Sequence, residues 1–68
     1  MDQETFNLSI RKFLKMVGVN SQREIEQAVN KALESGKMSG NERFPVRMTL
    51  DIPALGLNVT FDDEIRLQ

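Results

Sequence analysis

The apolar pattern of this chain changes its period once, between residues 35 and 44, and that change constrains the fold more than any other feature. Before it, apolar side chains recur every three or four residues, as on one face of a helix. After it they alternate one by one, as on a strand with one covered face and one solvated face. A helical half followed by a strand half, in 68 residues, fits one small α+β domain and leaves no room for a second core. The hydrophobic fraction of 40% is enough for such a chain to fold rather than stay disordered.

In the first half, Phe6, Ile10, Phe13, Leu14 and Val17 trace one helical face. Asp2 is a suitable N-cap, Glu4 suits the positive end of the helix dipole, and Lys12 and Lys15 lie toward the other end. Gly18 stands where a left-handed residue closing the helix is wanted. Ser21-Gln22-Arg23-Glu24 has the form of a capping box, in which the serine hydroxyl and the glutamate carboxylate satisfy each other's backbone amides. A second apolar face follows at Ile25, Ala28, Val29, Ala32 and Leu33, and Gly36 is its stop. The expectation is two helices, about 3–17 and 22–35, joined by a corner at Gly18 to Ser21.

Lys37 to Arg43 is a polar connection with a turn signal at Ser39-Gly40-Asn41, and mobility is expected there. A strand is expected at about 44–52, with Pro45 near its start or on an edge because proline cannot donate to a ladder. Pro53 to Gly56 forms a loop, and a second strand covers 57–61. Facing Ile52 with Leu57 sets Leu50 against Val59 and Met48 against Phe61, so apolar residues meet apolar residues throughout. The ending is ambiguous. One long strand would place Asp63 on the apolar face, where an unpaired carboxylate is costly if covered. A turn over Asp62-Asp63-Glu64 into a third strand at 64–67 is favoured, and a bulge that re-aims Asp63 is the other solution. The expected fold is α+β, with two helices packed on one face of an antiparallel sheet of two or three strands and with Phe13 and Phe61 central in the core.

The residue inventory excludes several chemistries. There is no cysteine and no histidine, so no thiol nucleophile, imidazole base or ordinary zinc site exists. No catalytic residue, metal ligand set or cofactor site is expected, and no enzyme activity. Asp62-Asp63-Glu64 lacks the calcium-loop pattern, and Gly36 to Gly40 lacks phosphate-loop spacing. No apolar run approaches the ~20 residues that cross a membrane. The polar, acidic N-terminus does not resemble a secretion signal, so a cytoplasmic protein is expected. Nine basic residues against ten acidic give a net charge of −1, a poor footprint for nucleic acid.

Three functional readings remain. The first is a non-catalytic interaction or accessory module. Its contact would be an open sheet edge or the face around Leu8, which projects opposite the apolar stripe among Arg11, Lys12 and Lys15. A lone exposed leucine is also ordinary, so the same residue has a bland reading. The second is a homodimer through that surface. The third is nucleic-acid binding by a helix-turn-helix-like corner over 13–34, with Arg23, Gln27, Asn30 and Lys31 facing DNA. Glu24, Glu26 and Glu34 surround those residues, and Ile25 lies one position late for that motif, so nucleic acid is disfavoured.

The run Thr5-Phe6-Asn7-Leu8-Ser9-Ile10-Arg11-Lys12-Phe13-Leu14-Lys15, with Val17-Gly18-Val19 and Ser21-Gln22-Arg23-Glu24-Ile25-Glu26, resembles a family of short bacterial proteins of unknown function. Met48-Thr49-Leu50, Ile52 and the Glu64-Ile65 ending are similar too. The resemblance implies a bacterial, cytoplasmic protein of about this length standing alone. It implies no activity, ligand or site residue.

Overall fold

The computed structural model describes residues 1–68 as two compact units, Met1–Lys37 and Met38–Gln68.

The first unit is one uninterrupted helix, α1, spanning Gln3–Glu34. Asp2 caps it as expected. The Glu4 and Thr5 amides donate to Asp2 Oδ1 at 3.1 and 3.4 Å, and the Thr5 hydroxyl donates to Oδ2 at 2.7 Å. The far end also follows expectation: Ser35 is the C-cap, and Gly36 takes the left-handed conformation, φ 76°.

The corner does not exist. Gly18 lies inside α1 with ordinary helical sign of φ, and the two expected helices are one. The physical reason is a comparison of costs. An interior glycine costs about 1 kcal/mol relative to alanine. Stopping the helix there would orphan up to four carbonyls on one side and four amides on the other. The Ser21–Glu24 box could answer only two of these, whereas continuation answers all of them. Asn20 supports the continuous path, its side-chain amide donating to the Met16 carbonyl one turn back at 2.8 Å. Joined in one helix, the two apolar faces become a single stripe from Phe6 to Ala32.

The second unit is an antiparallel ribbon of two strands, β1 (Arg43–Ile52) and β2 (Leu57–Arg66). They are joined by a short 3-10 turn, Pro53–Leu55, and by Gly56 at φ 62°. The expected register holds: Ile52 faces Leu57, Leu50 faces Val59 and Met48 faces Phe61. The expected ending does not. There is no turn at 62–64, no third strand and no bulge; β2 runs straight on, pairing Asp62 with Arg47, Asp63 with Val46 and Ile65 with Phe44. The argument against one long strand assumed that its apolar face would be covered at Asp63. Asp63 is exposed, so its carboxylate keeps its water and the cost does not arise.

A lone helix and a two-stranded ribbon are each a single layer, and a single layer cannot enclose a side chain. No residue of the chain falls in the buried class. Phe13 and Phe61, expected at the centre of a core, are 47% and 58% exposed. The expected pair of helices on a sheet is therefore replaced by one helix and a two-stranded sheet.

Candidate functional site

The residues singled out around Leu8 come together on α1. Arg11, Lys12 and Lys15 follow Leu8 by three, four and seven residues, which places all four on one side of the helix. Continuity adds a member that sequence reading had assigned to the corner. Val19 lies four residues beyond Lys15, on the same side, and is 50% exposed beside Leu8 at 58%. The surface is thus an apolar residue at each end of a basic patch. The signal that would have found Val19 is the same spacing rule, applied across Gly18.

Arg23, Gln27 and Asn30 also share a side of α1, while Lys31 falls toward the edge of the apolar stripe. They are not presented by a second helix set at an angle to a first, because there is no second helix. The helix-turn-helix geometry that gave these four residues a DNA-facing role is overturned with the corner. Asp62, Asp63 and Glu64 do not converge either. Successive strand residues point to opposite faces, so Asp62 turns to Arg47, whose Nε donates to Asp62 Oδ1 at 2.8 Å. Asp63 points the other way and accepts the Glu64 amide at 2.7 Å. The Arg47–Asp62 pair is solvated, and such pairs are worth about 0–1 kcal/mol. Beside it lies a shallow depression of about 300 Å³ lined by Pro45, Val46, Arg47 and Asp62.

One constellation was missed. In the connection between the units' regular elements, the Glu42 carboxylate is wrapped by the loop before it. The Ser39 amide donates to Oε2 at 2.8 Å, and the Gly40 and Asn41 amides donate to Oε1 at 2.9 and 3.2 Å. The Ser39 hydroxyl adds a contact at 3.1 Å. Consecutive amides aimed at one anion form a nest. These bonds, that from the Ser39 amide foremost and that from Gly40 next, lower the Glu42 pKa to about 2. Gly40, at φ 109°, permits the turn. The Glu42 carbonyl then accepts the Leu67 amide at 3.0 Å, tying the loop to the end of the ribbon. The sequence signal was there, a serine-glycine-asparagine turn followed at once by an acid, but an acid after a turn is common and has no fixed meaning. The nest is filled by the chain's own carboxylate, so its role is to hold the loop.

No helix is long and apolar enough to cross a membrane. A capped helix followed by a two-stranded ribbon, with its apolar residues distributed over exposed faces, defines a small α+β chain whose chemistry lies in its surfaces. The chain belongs to DUF6494, a family of unknown function, whose sequence pattern matches residues 1–68. Comparison with curated proteins and with solved structures finds no match.

Proposed function

We propose that this chain is a non-catalytic interaction or accessory module, acting in the bacterial cytoplasm. The observation that carries the reading is the side of α1 where Leu8 and Val19, each at least half exposed, bracket Arg11, Lys12 and Lys15. Apolar anchors rimmed by like charges suit a partner surface that is apolar at its centre and acidic at its edge. The absence of histidine and cysteine supports a role without catalysis, and the absence of cysteine suits a reducing compartment.

The test is co-precipitation from bacterial lysate with the full chain and with a Leu8→Asp, Lys12→Glu variant. The reading expects a protein retained by the first and lost by the second. Identical recoveries from both, or none from either, would count against it. Helix content measured on both proteins guards against simple unfolding of the variant.

A further inference from the structure

The apolar stripe of α1 has a symmetry that neither half shows alone. From Phe6 its positions advance by 4, 3, 4, 4, 4, 3 and 4 residues to Ala32, a series that reads the same in both directions about Val19. Laid antiparallel on a copy of itself, the helix sets Phe6 opposite Ala32, Ile10 opposite Ala28, Phe13 opposite Ile25, and Val17 opposite Ser21. Bulky residues in the first half meet small ones in the second, the alternation that lets two helices interdigitate. A parallel pair would set phenylalanine on phenylalanine at one end and alanine on alanine at the other, and the helices would splay.

Charge agrees. Residues 3–18 carry Arg11, Lys12 and Lys15 against Glu4, a net of 3 − 1 = +2. Residues 19–34 carry Arg23 and Lys31 against Glu24, Glu26 and Glu34, a net of 2 − 3 = −1. Antiparallel pairing runs the positive half along the negative one. Area agrees too. Phe6, Ile10, Phe13 and Leu14 are 40–55% exposed. With large apolar side chains exposing on the order of 150–250 Å² when free, the stripe offers about 600 Å² per helix, or about 1,200 Å² for a pair, the lower end of stable interfaces.

We infer that the occupant of this stripe is a second copy of the chain, its α1 packed antiparallel about a two-fold axis near Val19. The inference rests on the reading of the chain as a binding module and names one partner for it. A two-fold contact of this kind is self-complementary, each residue pair occurring twice, and so closes at two copies. The basic side bearing Leu8 and Val19 lies away from the stripe and stays free for a different partner.

The chain has no cysteine, so single cysteines report the register directly. Gln3 and Ser35 fall opposite each other in the antiparallel pair, whereas the two copies of Gln3 lie about 48 Å apart, at a rise of 1.5 Å per residue. Full-length Gln3→Cys and Ser35→Cys chains are mixed and oxidised with diamide, and the wild-type mass is followed by sedimentation over a concentration series. The expected result is a Gln3→Cys to Ser35→Cys cross-link, little Gln3→Cys self-linking, and a wild-type mass rising from one chain to two. Ala28→Glu, which sets a charge against Ile10, should weaken association about tenfold or more while keeping its helix content. Dominant self-linking of Gln3→Cys would overturn the antiparallel pairing. A single-chain mass at every concentration with no cross-link would overturn the dimer itself and assign the cover of the stripe to the same chain. Either failure leaves the lysate experiment, which probes the opposite side of α1, to decide the module reading separately.

Discussion

Gly18→Ala separates a continuous helix from a corner by the sign of its effect. In α1 the residue has no positive φ, and a Cβ built on it meets nothing within 4 Å. Alanine there loses no contact, gains no clash and restricts the unfolded chain, so the substitution should stabilise by about 1 kcal/mol, the glycine-to-alanine difference of an open helix interior. Had Gly18 closed a helix in the left-handed region, the same change would cost about 1–2 kcal/mol. Gly36 supplies that control within the same protein. Its φ is 76°, and Gly36→Ala should destabilise by that amount. Ser21→Ala gives an independent reading of the same question. As the first residue of a helix Ser21 would lose about 1 kcal/mol, and as an interior residue it should gain a few tenths. Thermal melts followed by far-ultraviolet circular dichroism, at one fixed protein concentration because association shifts the midpoint, read all three. For a domain of this size 1 kcal/mol moves the midpoint by about 4–8 °C. A lowered midpoint for Gly18→Ala, together with one for Ser21→Ala, would refute the continuous helix.

Three further outcomes follow from local geometry. Asp2→Ala should fray the first turn of α1, seen as faster amide exchange at Glu4 and Thr5, the two amides that Asp2 holds. Glu42 should titrate at about 2, and the order its carboxylate gives the loop should be complete above its ordinary value near 4.5 and fade as pH falls from there through about 2. A carboxyl titration by NMR that found an ordinary midpoint would remove the nest. Asp63→Val should stabilise the ribbon by about 0.2–1 kcal/mol through its cross-strand contact with Val46; a loss of stability would restore the turn at 62–64 that the register excludes.

What could be read from the chain divides by the range of the interaction. Asp2, Gly36 and the ribbon register were legible because each is fixed within a few residues or by strict alternation. Gly18 was not, because a glycine followed by a serine cap carries the same letters whether the helix ends or continues. The choice turns on summed backbone bonding that no single residue displays. Asp63 failed for a related reason: its placement was judged by the cost of covering it, and the letters around it do not say whether the face is covered. At the candidate surface, Leu8, Arg11, Lys12 and Lys15 were found by spacing, while Val19 was hidden behind the supposed corner. The Glu42 nest depends on three backbone amides, which have no letters at all.

The continuity of α1 also decides where its apolar halves can find partners. Were the helix broken at Gly18, Phe6, Ile10 and Phe13 could fold back onto Ala32, Ala28 and Ile25 of the same chain, large against small, as the two-helix expectation had it. A straight helix holds Phe6 and Ala32 about 39 Å apart along its axis, so they cannot meet within one molecule. The complementarity remains in the sequence, and an antiparallel copy is the arrangement that satisfies both halves at once. The two sets of measurements are therefore linked. If Gly18→Ala stabilises, intramolecular closure is excluded and cross-linking between Gln3→Cys and Ser35→Cys is expected between chains. If it destabilises, the same residue pairs should close within a chain, and a doubly substituted Phe6→Cys, Ala32→Cys protein should oxidise without gaining mass.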